Sequence, residues 1–231
     1  METLTPTPRT TLKRRPKRGS YERAAVHAIL DEGLVCHVGF ALGTQPFVMP
    51  MAYVRDGEHI YLHGSPANRT LRALVEGGDT CINVMLVDAL VISRSASHHS
   101  MNFRSVTVFG RAREVTDLAE KEAALRALIE HVVPGRWSVT RAPNPDELRH
   151  TLVVRIPIEE ASAKMRTGGP VDDEADYALP VWAGEIPLRL VPGDPIDDPH
   201  LNPGTPVPAH VKEYRGPAAK GGQPWSPASE S

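Results

Sequence analysis

The sequence of 231 residues predicts a mainly β fold, a small antiparallel barrel with helices only at its edges. Six or seven segments have the pattern of strands, and short turns separate them. Strands and helices do not alternate regularly, which disfavours a doubly wound sheet. The length allows one domain with a substantial core and an extra arm or tail.

The chain begins with an arm and a helix. Residues 1–19 lack periodicity and carry a compact positive run at 13–18, so we predict a disordered basic arm. This run could contact a phosphate or a nucleic acid, or it could simply be solvated. A helix follows from Ser20, with apolar residues on one stripe and Gly33 as its stop. Residues 34–41 are mostly apolar and predict the first barrel strand.

Residues 46–74 are the most informative stretch. They predict a strand to Val54, a turn at Asp56-Gly57 and a second strand over 59–64. Because Asp-Gly between alternating apolar runs is a strong hairpin signal, the two strands are predicted to pair. Pro50 lies in the middle of the first strand and cannot donate to a neighbour. It indicates a sheet edge, a bulge or backbone that faces a ligand.

A helix start directly after this hairpin predicts an anion site. Ser65 and Pro66 are the residue types of an N-cap and a first helical position. Arg69 and Arg72 lie three residues apart on one face of this helix. Since the first amides of a helix are unpaired and its dipole is positive there, the place suits a phosphate.

The remaining barrel elements follow from four segments. Residues 80–86 and 90–95 predict two strands joined by a turn, and residues 102–113 predict a long strand. Asp117, with Glu120 three residues later, begins an amphipathic helix that extends to Val132. Residues 151–158 are the final strand of a domain that spans 20–160. Beyond it we predict an extension over 161–190 that packs on the barrel and a disordered Pro- and Gly-rich tail over 191–231.

Composition narrows the possible partners and the location. A net charge of -2 gives no reason to expect nucleic acid or a membrane as partner. No apolar run approaches the length of a membrane span, and the N-terminus lacks a secretory pattern. Cys36 and Cys81 form no CxxC motif. We therefore expect two reduced thiols inside strands of a cytoplasmic protein.

The histidines are candidate functional residues. His63 is predicted to face away from the core, because alternate residues of its strand point inward. There it would either meet a planar ligand or end the strand without chemistry. His98 and His99, even with His37, have no carboxylate at fixed spacing, so no metal site is predicted. The sequence also lacks GxSxG, GxGxxG and Walker motifs.

Four segments carry a resemblance to a known family. VCHVGF, PFVMPMAYV, IYLHGS and RSVTVFG, in this order and spacing, resemble the FMN-binding split barrels of the pyridoxamine 5′-phosphate oxidase superfamily over residues 20–160. Within it, the similar branch contains nitroimidazole-resistance reductases and small flavin-nucleotide-binding proteins. The resemblance implies a six-stranded antiparallel split barrel and a homodimer, with one FMN at each of two sites between the subunits.

The resemblance also assigns site residues. It implies that Arg69 grips the flavin phosphate and that His63 orients substrate or supplies a proton as the catalytic residue. The residues from 50 to 53 would lie along the isoalloxazine, and Arg104 and Ser105 would come from the partner subunit. The cofactor-binding residues expected in this way are Pro50, Met51, Ala52, Tyr53, His63, Gly64, Ser65, Asn68, Arg69, Arg104, Ser105 and Trp182.

The function implied is an FMN-dependent oxidoreductase that acts on a small molecule. It would pass electrons from a reduced nicotinamide, or from a reductase, to a small aromatic or nitro-type acceptor. Two alternatives stay open: a flavin carrier without turnover, and a deazaflavin or heme in place of the flavin. Val191 stands where the true pyridoxamine 5′-phosphate oxidases have the histidine of an R-x-H pattern, so that activity is the less favoured one.

Overall fold

The computed structural model describes residues 2–216, which fold into two antiparallel sheets with helices around them. The strands are β1 (Gly19–Ser20), β2 (Val35–Leu42), β3 (Gln45–Ala52), β4 (Val54–Asp56), β5 (His59–Gly64), β6 (Asp79–Ile92), β7 (Ser100–Arg111), β8 (Arg113–Glu114), β9 (Leu152–Pro157), β10 (Glu160–Arg166) and β11 (Gly184–Pro187). The helices are α1 (Arg23–Glu32), α2 (Arg69–Val75), α3 (Leu118–Val132), α4 (Pro145–Arg149) and α5 (Ala209–Lys212).

The two sheets enclose one main core. The larger sheet has the order β1-β10-β7-β6-β2-β3, with β11 also paired to β6, and the smaller one has the order β4-β5-β9-β8. Inward residues of both sheets pack with the apolar faces of α1 and α2. α3 covers the opposite side of the smaller sheet, where Ala124 packs with Val153. The predicted fold class, a mainly β split barrel with flanking helices, is confirmed.

The predicted hairpin is correct at its turn and wrong at its first strand. Gly57 has φ +55°, which a residue without a Cβ adopts at little cost, and it joins β4 to β5. Only Val54–Asp56 pairs there. Gln45–Ala52 instead pairs with β2 in the other sheet, because the chain changes sheet at the buried Tyr53. The edge position indicated by Pro50 is confirmed, since β3 is the last strand of its sheet.

The turn predicted at 87–88 is a β-bulge. β6 continues from Asp79 to Ile92, and its register against β7 shifts between Val87 and Ala89. The extra residue, Asp88, sends its carboxylate to the guanidinium of Arg104, at 2.7 Å from Nη2. Asp is a residue type that sequence patterns assign to turns, but here the buried Arg104 holds Asp88 at a bulge within one long strand.

The N-terminal arm is placed against the barrel, whereas the sequence predicts disorder over residues 1–19. Leu4 and Thr10 are buried, and the Leu4 amide donates to the Tyr21 carbonyl at 2.8 Å. The Tyr21 hydroxyl donates to the Thr10 carbonyl at 3.0 Å. β10 begins at the predicted domain end, residue 160, extends to Arg166 and pairs with both β1 and β7. Segments without an apolar periodicity thus gain their partners only in the folded chain.

The C-terminal part carries little regular structure. β11 pairs with β6, and the predicted tail contains the short helix α5 within its described residues. Residues 217–231, which the sequence predicts to be disordered, lie outside the described range. No helix between residues 2 and 216 is long and apolar enough to cross a membrane. The thiols of Cys36 and Cys81 are both unpaired, and burial raises the pKa of Cys36 to about 12.

Candidate functional site

The open edge of β3 is the first component of the candidate site. Pro50 lies opposite His37 of β2, and both are exposed on the outer face of the large sheet. Pro46 and Pro50 lack amide protons, which a strand tolerates where its nitrogens face an open edge. Since the amides of alternate strand residues point to the same side, the backbone N–H groups of Val48 and Ala52 face this open edge as well. These groups are suited to hydrogen bonds with a planar ligand that has polar atoms along its rim.

The two other residues predicted for this strand are oriented inward. The Met51 side chain packs against the barrel core, and Tyr53 is fully buried. The Tyr53 hydroxyl donates to the Leu30 carbonyl at 2.6 Å, and burial raises the pKa of this phenol far above its usual value. These two residues can therefore meet a ligand on β3 only through their backbones.

The start of α2 is the second component, and its cap differs from the prediction. Asn68, not Ser65, is the N-cap, and its side chain accepts from the Leu71 amide at 3.1 Å. Pro66 and Ala67 form a turn before the helix, across which the Asn68 amide donates to the Ser65 carbonyl at 2.8 Å. Asn68 directly precedes the first helical residue, so its side-chain oxygen can accept from an unpaired amide in the first turn of the helix. The Asn68 side chain is thus occupied within the protein.

Glycine at position 64 allows this turn to pack tightly. A Cβ there would lie 3.1 Å from Leu71 Cδ1 and 3.6 Å from Asn68 Nδ2. The strand end therefore needs a small residue because it passes directly under α2. The role of Gly64 in the structure is close approach of the backbone, and its contact with a cofactor stays a prediction.

Arg69 is an exposed cation at the start of α2. Its guanidinium lies over the ring of Phe47, 4.7 Å from the centroid, and Phe47 stacks on Phe40 at 5.3 Å. Within residues 2–216 no carboxylate is recorded as its ion-pair partner. Phe47 belongs to β3, so this contact joins the open edge to the start of α2. Sequence reasoning missed Phe47, although an aromatic residue on the predicted ligand strand was an available signal.

His63 lies on a different side of the small sheet from the barrel core. Its ring is half-buried with Leu125, Leu128 and Val153 around a void of about 10 Å³, which is room for about one water. Burial lowers the pKa of this imidazole, so the neutral form predominates at neutral pH. The predicted inward and outward alternation of β5 is confirmed. The outward side, however, is covered by α3, and no contact between His63 and Arg69 is recorded in the described chain.

Arg104 and Ser105 point to opposite faces of β7. Arg104 is buried and pairs with Glu32, at 2.8 Å between Nη2 and Oε1, and with Asp88 at 2.7 Å. These carboxylates raise the pKa of the guanidinium. Arg104 therefore stabilises its own protomer. Ser105 faces outward on the large sheet and donates to the Lys164 carbonyl at 3.2 Å.

Trp182 lies on the surface beside β11. Its side chain is 64% exposed, and its ring covers Gly184, where a Cβ would come within 2.9 Å of Cζ2. The ring is thus oriented by the local chain rather than by the barrel core. Its contact with a cofactor stays a prediction.

The outer face of the large sheet exposes several apolar side chains that no other part of residues 2–216 covers. Val48 is 67% exposed and Met85 is 45% exposed, and neither belongs to a core cluster. Further exposed apolar residues on this face are Val35, Val87, Leu90 and Met101. Exposed apolar surfaces of this kind are typical of interaction sites. Pro50 and Ser105, both predicted cofactor residues, lie on it.

Comparison with known families and structures shows what the chain as a whole is similar to. The family model described as pyridoxamine 5′-phosphate oxidase matches residues 22–165. The chain is similar to the flavocytochrome Anf3 from Azotobacter vinelandii, with 42% identity and a TM-score of 0.86, over 92% of this chain and 99% of that one. It is also similar to an FAD- and heme-binding protein from Mycobacterium smegmatis, with 32% identity and a TM-score of 0.82, over 87% and 98%.

A more distant structure shares the fold alone. A candidate 5-nitroimidazole antibiotic resistance protein from Bacteroides thetaiotaomicron is 21% identical with a TM-score of 0.55, over 64% of this chain and 86% of that one. Among the curated proteins, none matches this chain.

Proposed function

The chain belongs to the pyridoxamine 5′-phosphate oxidase family, and from this membership we propose that it is a flavin-binding oxidoreductase that works as a homodimer. The observation that carries the proposal is the similarity, along nearly the whole chain, to a flavocytochrome and to an FAD- and heme-binding protein. A bound flavin would supply the redox chemistry, while the protein would bind it, orient it and control access to it.

The residues of the candidate site fit a flavin phosphate and ring. Arg69 offers an exposed guanidinium held by Phe47, and a charge-assisted bond from such a group is among the strong contacts to phosphate. The outward backbone of β3 offers donors and acceptors to the rim of a flavin ring. The apolar outer face next to it would exclude water from that ring. A cytoplasmic location is part of the proposal.

The identity of the flavin is a choice between FMN and FAD. FMN is the cofactor expected from the resemblance to the split-barrel family. FAD is the second candidate, because the similar protein from Mycobacterium smegmatis is described as binding it. Both flavins share the isoalloxazine and its first phosphate, so the role of Arg69 is the same for either. Release of the bound flavin by heat, followed by chromatography, distinguishes the two.

The homodimer is supported by the uncovered outer face of the large sheet. Burying Val48 and Met85 against a second copy would remove apolar surface from water and place Pro50 and Ser105 near the partner. Val48→Glu should therefore shift the protein to monomers in light scattering. Val139→Glu, at a valine of similar exposure on a distant 3₁₀ helix, is the matched control and should leave the dimer intact.

Heme is a second candidate ligand, favoured by the same two similar structures. A histidine that ligates heme iron does so as a neutral imidazole and needs space for the heme beside it. His63 does not fit in this conformation, because its void of about 10 Å³ holds no more than a water. His37 lies on the open outer face instead. Hemin titration should give a Soret band that His37→Ala abolishes and His63→Ala leaves unchanged, and the opposite result would assign His63.

The visible spectrum of the purified protein tests the main proposal. Flavin absorbance should be present, or should develop on incubation with FMN or FAD. A preparation that takes up neither flavin overturns the proposal. Anaerobic mixing with reduced nicotinamide then separates enzyme from carrier, because only an enzyme with this donor bleaches the flavin. His63→Ala should slow this step if His63 is catalytic, as the resemblance implies.

A further inference from the structure

A cluster of three metal-ligating side chains lies away from the candidate flavin site. One ligand atom from each of His98, Asp173 and Asp176 lies within 4.8 Å of the other two. His98 ends the 3₁₀ helix Ala96–His98 between β6 and β7. The two aspartates lie at the start of the 3₁₀ helix Glu174–Ala178, in the extension after β10. Two segments far apart in sequence therefore bring these groups together.

The two segments are fixed to each other by neighbouring residues. The Asp172 side chain is fully buried and pairs with the Arg94 guanidinium at 2.9 Å. It also accepts from the Arg94 amide at 3.1 Å. Arg94 lies over the ring of Tyr177, 5.1 Å from its centroid. Because Asp172 neutralises the charge of Arg94, Arg94 does not repel a metal ion bound nearby. The contacts of Asp172 and Tyr177 with Arg94 also hold the two segments together without using the side chains of His98, Asp173 and Asp176.

The three side chains have no recorded partner in the described chain. His98 Nδ1 is buried without a hydrogen bond, although a buried polar atom ordinarily has one. No ion pair within 4.0 Å joins His98 to either aspartate, so the groups converge without touching. Two ligands at about 2.1 Å from a tetrahedral ion lie roughly 3.4 Å apart, and small rotations of the exposed Asp173 and half-buried Asp176 carboxylates would reach that spacing.

We propose that His98, Asp173 and Asp176 bind a divalent first-row transition ion that clamps the C-terminal extension to the β6–β7 connection. One imidazole and two carboxylates suit Zn²⁺ and its neighbours better than Ca²⁺ or Mg²⁺, which prefer oxygen ligands alone. Three protein ligands leave a fourth position for water. The sequence pattern concealed this site, because His98 is more than 70 residues from the aspartates.

Zinc titration of tag-free, chelator-treated protein tests the proposal. Calorimetry should show one saturable Zn²⁺ site per chain, and Zn²⁺ should raise the melting temperature because it binds the folded state. His98→Ala and Asp176→Asn should each weaken Zn²⁺ binding by about 10–100-fold or more. Circular dichroism of both variants in the absence of metal should match that of the wild type, because the substituted side chains make no recorded contact.

Two matched controls make the test specific. His99→Ala removes the adjacent imidazole, whose Nδ1 already lies 3.0 Å from Ser93 Oγ. His200→Ala removes an exposed imidazole that is paired with Asp198. Both variants should bind Zn²⁺ as the wild type does. Absence of a saturable site in the wild-type protein, unchanged binding in folded His98→Ala, or an equal loss in His99→Ala would overturn the assignment. These results do not depend on whether the chain binds a flavin.

Discussion

Replacing Arg69 by alanine should weaken the binding of flavin nucleotides and leave the binding of riboflavin unchanged. Arg69 is exposed at the start of α2, and its guanidinium has no recorded carboxylate partner in residues 2–216. It is therefore available to a phosphate. Riboflavin has the same ring without the phosphate, so the comparison isolates the contact made by this cation.

The expected loss follows from the energy of a charge-assisted hydrogen bond. Such a bond contributes about 1.5–3 kcal/mol, which corresponds to roughly 10–150-fold in Kd. Because the guanidinium is exposed, solvent screens it, and we expect the lower part of this range. Phe47→Leu removes the ring under Arg69. This substitution should weaken the binding of flavin nucleotides by only about 0.5–1 kcal/mol, since the charge of Arg69 remains and only its orientation is lost.

Fluorescence titration of the flavin-free protein with FMN, FAD and riboflavin provides the measurement. Arg126→Ala, at an exposed arginine of α3 outside the candidate site, is the matched control for a general loss of positive charge. The reasoning is refuted if Arg69→Ala binds FMN as the wild type does, because the phosphate then lies elsewhere. It is also refuted if riboflavin loses as much affinity as FMN, since Arg69 would then act through the shape of the site.

Three further predictions concern the fold. Tyr53→Phe should lower the free energy of unfolding by about 1–2 kcal/mol in urea denaturation, because the buried Leu30 carbonyl loses its donor. An unchanged midpoint would show that water replaces the hydroxyl. Arg104→Met should lower the free energy of unfolding by about 2–3 kcal/mol, which is less than the loss expected for a fully buried pair, because Glu32 and Asp88 keep some solvent contact. Glu32→Gln retains the ion pair of Arg104 with Asp88 and should lower the free energy of unfolding by less. Burial lowers the pKa of His63, so the unfolded state binds more protons, and stability should be complete above the unfolded pKa of about 6.5 and fall as pH drops below it. His63→Gln should flatten this dependence in melting curves between about pH 7 and 5, and an identical slope would contradict it.

The site was predicted in part because its signals are local. Arg69 and the β3 strand could be found from residue types, since a helix start and a mid-strand proline carry their meaning over a few residues. The identity of the N-cap could not be predicted, because Ser65 and Asn68 are both good cap residues and only the folded chain shows that the Leu71 amide donates to Asn68. The contact of Arg69 with Phe47 joins α2 to β3, which are separated in the chain, and has no local signature.

The long-range arrangement also explains the wrong predictions for strands. Asp88 has the pattern of a turn, and only the buried Arg104 makes it a bulge within one long strand. The segment 45–52 alternates like half of a hairpin, yet it pairs with β2, because the chain changes sheet at Tyr53. Pairing partners depend on where distant apolar faces meet, and a local pattern does not contain that information.

The sequence by itself determined the fold class, the hairpin turn at Gly57, the amphipathic helix after Asp117 and the inward residues of β5. These features depend on periodicity, capping and turn chemistry, which act between residues close in the chain. The tertiary structure alone decided that α3 covers the side of β5 on which His63 lies. It alone also brought His98 to Asp173 and Asp176, because such contacts form only when separate segments pack on one core.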